Sequence, residues 1–324
     1  LFLLNIFLNI LICFSNDPTE QLKLGLEKTE KQIKILHDRW RINEFPNFLK
    51  SVAMPLSSWD VLRVKFQHKI LNGIAGKNPK FVMSFMGSSV TAGHDTAFNL
   101  SFSELSGKYM SEPLKSFGIE TISRNVALGN NPCVPYDLCV ETFVGKDADL
   151  IHWEQSFNCG GGDNNRRNVY EPFVRMALRI ESHPVVVFSD SVTPNWGEDQ
   201  CKDTPKPMLH NDEDKKLLSL LQTTPREIPH QVNLGAIHQH WSAFSEIIDK
   251  YRNAGIQVWN HHHYEKYKCH PPYIANWGCC SASWHPSILG HELRAAHYTY
   301  FWLLIFKDAI TFLLDNLANS NTIE

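Results

Sequence analysis

Lys80-Phe81-Val82-Met83-Ser84-Phe85-Met86-Gly87-Ser88-Ser89-Val90-Thr91-Ala92-Gly93 is the stretch on which the reading of the chain turns. An apolar run of strand-forming residues stops at a glycine and two serines, and a second glycine closes the segment. The pattern predicts a buried strand that hands a small hydroxyl to a tight turn ahead of a helix. In an open parallel sheet, the carboxyl end of a strand is where ligands bind. Ser89 is therefore a candidate nucleophile, and an ordinary Gly-Ser connection is the plain alternative.

Working outward, strands and helices alternate. Trp59 to Leu71 predicts a helix with Val61, Leu62, Phe66 and Ile70 on one side. Thr19 to Trp40 predicts an amphipathic helix outside the main domain, with Leu22, Leu26, Ile33, Leu36 and Trp40 at helical spacing. Beyond the central strand, Phe98 to Met110 reads as a helix left at Pro113 and Gly118. Ile119 to Ser123 is a strand, Pro135 to Val144 a helix, and Asp149 to Asn158 a third strand with its exit. Asn168 to Glu181 is a helix, and Pro184 to Ser189 a fourth strand ending at Asp190. Ile237 to Asn253 is a helix, and Ile256 to Trp259 the fifth strand. Ile288 to Leu317 is a long final helix, which Lys307-Asp308 marks as a docked core helix rather than a membrane span.

This alternation predicts an α/β fold, a three-layer α/β/α sandwich with a five-stranded parallel sheet. Right-handed crossovers bring all strand exits to one edge, so Ser89, Gly129, Asn158 and Asp190 should line one rim. The expected organisation is a signal peptide or clipped signal anchor over 1–15, a helical extension over 16–75, a main domain over 76–317 and a tail over 318–324. Within the main domain, about 191–235 is polar, marked by prolines and too long for an ordinary connection, so it reads as an insertion.

Leu1 to Phe14 is almost wholly apolar and uncharged, followed by polar Ser15-Asn16-Asp17-Pro18, which fits the apolar core of an export signal. The expectation is a secreted protein. The alternative is one anchored in the membrane through an uncleaved first segment. Seven cysteines remain outside that segment: Cys133, Cys139, Cys159, Cys201, Cys269, Cys279 and Cys280. They lack paired zinc spacing and read as disulfide material, with Cys133 and Cys139 the most local pair. Asn99-Leu100-Ser101 is an acceptor sequence for N-glycosylation. A net charge of −3 and an isoelectric point near 6.6 give no footprint for nucleic acid.

A serine nucleophile needs a base to take its proton and donors to hold the oxyanion. The best-placed base is His285, in Ser283-Trp284-His285-Pro286-Ser287-Ile288-Leu289-Gly290-His291 just ahead of the final helix. His291 reads as a capping or packing residue there. With these residues in view, the chain resembles the SGNH hydrolases, also called the GDSL family. Gly87-Ser88-Ser89-Val90-Thr91-Ala92-Gly93 is similar to the nucleophile block, and Asn125-Val126-Ala127-Leu128-Gly129 to the second. Asp149-Leu150 through Ser156-Phe157-Asn158 is similar to the third, and His285-Pro286 with Gly290-His291 to the last. The resemblance runs from about Phe81 to Ala309 and implies a flavodoxin-like fold. It also implies ester hydrolysis with Ser89 as nucleophile and His285 as base. The Ser89 and Gly129 backbone N–H groups and the Asn158 side chain would form the oxyanion hole.

Four positions depart from the family pattern. Ser88 stands where the nucleophile block carries an acid, and Ser156 where a glycine precedes the asparagine. Cys159 replaces the following aspartate, and Ala282 replaces the acid three residues before the base. A triad acid fixes the tautomer of the base and steadies the imidazolium. Its absence implies a Ser-His dyad helped by a backbone carbonyl, recruitment of Asp190 or another distant carboxylate, or impaired turnover. No cofactor is expected. A metal is not expected either, because the consecutive His261-His262-His263, near His270, cannot all face one ion, and His238-Gln239-His240 has no completing ligand. Glu154 on the third strand reads as a buried structural acid. The expected partner is an acylated small molecule or glycan, with Trp196 and Trp277 available to border its pocket. An acyltransferase using the same residues, or a glycan-binding module that has lost turnover, are the alternatives.

Overall fold

The computed structural model describes residues 17–42, 52–53, 56–94, 96–155, 158–159, 172–189, 237–239 and 288–320. Six strands occur among them: β1 (Val52–Ala53), β2 (Lys80–Gly87), β3 (Glu120–Asn125), β4 (Leu150–Glu154), β5 (Val185–Ser189) and β6 (Ile237–Gln239). They form one sheet in the order β1-β6-β5-β4-β2-β3. Every neighbouring pair is parallel except β1 with β6. Four of the five expected strands are β2 to β5. Ile237–Gln239, expected to open a helix, instead extends the sheet beside β5. There β5 and β1 pair its backbone on both sides, and that pairing outweighs local helix preference. The expected strand over 256–259 lies outside the described residues, as does the insertion over 191–235. The chain passes from β2 outward to β3 and then back across to β4. The switch point of the sheet is therefore between β2 and β4, the arrangement of flavodoxin-like folds.

Strand alternation assigns the two faces. Phe81, Met83 and Phe85 of β2, Leu150 of β4, and Val185 and Val187 of β5 face one core. It is covered by α1 (Pro18–Trp40), α2 (Leu56–Ile74), α3 (Phe102–Lys115) and α5 (Ile288–Ser320). Met86, Ile151, Trp153 and Val186 face the other core, closed by the turns Cys133–Tyr136 and Val140–Val144 and by α4 over 172–178. Three layers result, as the periodicity predicts. α3 runs through Pro113 to Lys115 rather than stopping before it, and Gly118, at φ +68°, makes the turn into β3.

The first helix does not stand apart from this body. Leu22, Leu36 and Trp40 of α1 are buried in the same core as Leu293, Trp302, Phe306 and Ile310 of α5. Each such side chain contributes about 1.5–3 kcal/mol of burial free energy. The Phe117 ring lies against Gly25 of α1, and its backbone oxygen lies against Gly73 of α2. A β-carbon at either glycine would collide with it. Two ion pairs link α1 to α5, Arg39 Nε to Glu292 Oε1 at 3.0 Å and Lys307 Nζ to Glu30 Oε1 at 2.7 Å. These are partly exposed and add little energy beyond registering the helices. Among the described residues no helix is long and apolar enough to cross a membrane.

The His152 ring sits in the core without compensation. His152 of β4 is fully buried among Phe85, Phe102 and Tyr298, and neither ring nitrogen has a hydrogen-bond partner. Burial, and then the nearby Arg294 charge, hold its pKa well below the usual imidazole range. The unfolded chain binds a proton that the native state refuses. Stability therefore rises with pH through about 6.5 and falls below it. In urea unfolding at pH 5.5 against pH 7.5, the wild type should lose about 1 kcal/mol more than a His152→Leu variant. Equal acid sensitivity in the two proteins would remove His152 as the cause.

Candidate active site

The site is built on the turn that follows β2. Gly87 lies opposite Glu154 in the sheet register, and Ser88 N–H donates to the Glu154 backbone oxygen at 2.8 Å. Ser88 then caps the single helical turn Ser89–Ala92, its Oγ accepting from Val90 N–H at 3.2 Å. The same hydroxyl donates to Glu154 Oε2 at 2.8 Å, and Thr91 Oγ1 donates to that oxygen at 2.6 Å. Position 87 has to be glycine, because a β-carbon there would run into the Thr91 side chain and the Glu154 carbonyl. Gly93 closes the turn at φ +84°, and His94 N–H donates to the Ser89 carbonyl at 2.9 Å. Ser89 is thereby held at the rim with only 9% of its surface exposed.

Glu154 is fully buried, and Arg294 of α5, 1% exposed, brings its Nη1 to 4.0 Å from Glu154 Oε1. The Arg294 guanidinium also lies over the Phe102 ring, 5.4 Å from its centroid. The carboxylate thus joins the Gly87–Gly93 turn to α5. His291, one turn earlier on α5, is buried, accepts from Phe102 N–H through Nδ1 at 3.2 Å and stacks on the Phe102 ring. It packs the start of the helix, as expected.

The loop after β3 comes in beside this turn. Asn125 Nδ2 donates to the Thr91 carbonyl and to Ser103 Oγ, both at 2.9 Å, while its Oδ1 accepts from Ala127 N–H at 3.2 Å. Leu128 N–H donates to the Gly87 carbonyl at 3.1 Å. Gly129 is then so close to Ser89 that a β-carbon on it would stand 3.5 Å from Ser89 Cβ. Asn158 follows β4, its N–H donating to the Gln155 carbonyl at 3.0 Å. The buried Asn158 Nδ2 has no hydrogen-bond partner. A small hydroxyl, an adjacent backbone segment and a spare amide donor are the parts needed to attack a carbonyl and hold the resulting oxyanion.

Ser89 and Gly129 are therefore brought together, and Asn158 follows the strand next to β2. His285 and Asp190 lie outside the described residues. Cys133 pairs with Cys159, not with Cys139, which is free and exposed. The reason is topological: the segments that follow β3 and β4 meet across the end of β2, with the Cys133 and Cys159 Cα atoms 4.9 Å apart. Sequence reasoning gave Asn125 and Thr91 no role of their own; of its two readings of Glu154, a buried hydrogen-bonded acid or a rim residue, the first holds. The only available signal was the spacing that places Gly87 and Glu154 at the ends of neighbouring strands. Among the described residues no group of histidine, cysteine or carboxylate side chains is arranged to hold a metal.

No family model and no curated protein matches this chain. Among solved structures, a two-domain esterase active on acetylated mannans, co-crystallised with mannopentaose, is similar at 17% identity. That match covers 73% of this chain and 53% of that one, with a TM-score of 0.47. This chain thus spans about half the length of that esterase. A second structure of an esterase described in the same words gives 16% identity over the same shares, again at 0.47. TesA is similar at 10% identity over 67% of this chain and 94% of that one, with a TM-score of 0.34. Likenesses this distant leave the chemistry to be argued from the residues themselves.

Truncating one partner of a buried charge pair costs about 3–5 kcal/mol, because the other charge is left uncompensated. Glu154→Ala should therefore lower the unfolding free energy by about 3 kcal/mol or more in urea titrations. A Glu154→Met/Arg294→Met double variant should recover most of that loss. A double variant no more stable than Glu154→Ala would show that the pair is not the relevant contact.

Proposed function

We propose that this chain is a secreted serine esterase of the SGNH type, acting on an oxygen ester through an acyl-serine intermediate. The observation that carries the reading is the position of Gly129 against Ser89 at the switch point of the sheet, with the spare Asn158 amide on the neighbouring exit. Ser89 Oγ attacks the ester carbonyl carbon while His285 takes its proton. The oxyanion is held by the Ser89 and Gly129 N–H groups and by Asn158 Nδ2. Collapse expels the alcohol, which receives the proton from His285. Water, deprotonated by His285, then attacks the acyl-enzyme and releases the acid and free Ser89.

Ala282 leaves no local acid for His285, so the working pair is a Ser-His dyad whose imidazole is oriented by a backbone carbonyl. Asp190 is the alternative orienting group. The substrate class we favour is an acylated glycan, on the strength of the apolar first segment and of Trp196 and Trp277. Acyl transfer to a sugar hydroxyl uses the same intermediate and differs only in the acceptor. Ala282 also favours a second reading, a glycan-binding module without turnover.

A fluorophosphonate probe separates these readings, since it reacts efficiently only with an activated serine. The wild type should label, and Ser89→Ala and His285→Ala should not. Asn158→Ala should slow labelling and ester hydrolysis by about a hundredfold, the usual cost of one oxyanion donor. A correctly folded wild type that takes no label would favour the binding module. Products formed with and without a sugar acceptor would separate hydrolysis from transfer.

A further inference from the structure

We infer that the Cys133–Cys159 disulfide is a positioning element of the oxyanion hole, holding the loop of Asn158 in register with the loop of Gly129. The inference rests on the esterase reading above. Cys159 directly follows Asn158, and Cys133 begins the helical turn four residues after Gly129. Both cysteines are buried, at 2% and 8% exposure, and their sulfurs are bonded. A second cross-link runs in parallel: Gln155, itself fully buried, donates from Nε2 to the Asn131 carbonyl at 2.7 Å. These two ties connect the exit of β3 to the exit of β4, strands that are not neighbours, since β2 lies between them.

The reason for a covalent tie lies in what Asn158 lacks. Its Nδ2 is buried without a partner, so no hydrogen bond of its own fixes that donor before a substrate oxygen arrives. A donor gives its full electrostatic benefit only when it is already aimed at the developing charge. The disulfide fixes the adjacent Cα and so limits where the amide can reach. Cys159, one of the departures from the family pattern, acquires a role by this route. It acts through Asn158 and does not touch the reacting atoms.

The test compares wild type with Cys133→Ser/Cys159→Ser and with Cys139→Ser, using the full chain, a chromogenic acetyl ester and the fluorophosphonate probe. The double variant should lose roughly 10- to 100-fold in kcat and in labelling rate, with KM within about threefold and the native circular dichroism retained. Cys139→Ser should behave as wild type. A small dithiol offers a second route that needs no mutation. It passes two electrons and two protons to the disulfide, giving two thiols, and itself closes to a cyclic disulfide. Reduced wild type with a native spectrum should show the same loss, and reoxidation should restore activity. Unchanged kcat in the double variant overturns the inference. So does a loss that follows unfolding in both the variant and the reduced protein, because the bond would then be only a staple. A wild type that neither hydrolyses nor labels takes down the esterase reading and this inference together, whereas a labelling wild type with an equally reactive double variant takes down this inference alone.

Discussion

A carboxylate buried at the end of a central strand is a liability unless every nearby donor serves it, and Glu154 is served from two directions. The Ser88 and Thr91 hydroxyls both reach Oε2, while Arg294 stands near Oε1. Meeting that demand fixes the turn between Gly87 and Gly93 in one geometry, and with it the direction in which Ser89 faces. It also pins α5 to the sheet through Arg294, in the second turn of that helix. Ser88 itself carries no charge, and the negative charge beside the turn sits on the neighbouring strand. The turn still has a carboxylate, supplied from across the sheet.

Topology explains why the parts converge. β2 and β4 are neighbours whose next strands, β3 and β5, lie on opposite sides, and in open parallel sheets this switch point is where ligands bind. β2 contributes the turn, β4 contributes Glu154 and then Asn158, and the loop from β3 folds back over the rim to bring Gly129 against Ser89. That return path is not left to chance. Asn125 binds the Thr91 carbonyl, and the Leu128 N–H binds the Gly87 carbonyl, so the loop is tied to the turn that carries Ser89.

Much of this was legible in the residues. The period-two burial of Phe81, Met83 and Phe85, the glycines at 87 and 93, and the helical stripe of α2 are local signals, and they translated directly into elements. Four strands fell where the alternation put them. What stayed hidden was set by distance along the chain. Nothing near Ile237 announces a strand, because its pairing partners are Val187 to Ser189 and Val52 to Ala53. Cys139 looked the better partner for Cys133 because it is close in sequence, yet the crossing of β4 brings Cys159 nearer in space. The burial of α1 was equally invisible, since an amphipathic stripe shows that a helix packs without showing against what. Glu154 needed the register of β2 against β4 before its partners could be named.

The union of α1 with α5 has a kinetic consequence. These helices are the first and last of those described, and between them runs nearly the whole sheet. Their shared core around Trp40, Trp302 and Phe306 is therefore made of contacts of very high sequence separation. Such contacts form late, because the chain must close its largest loop before they return any free energy. During synthesis the apolar faces of α1 and α2, and the sheet face they share, have no lid until the final helix leaves the ribosome. A chaperone that shields those faces would suit a chain built in this way.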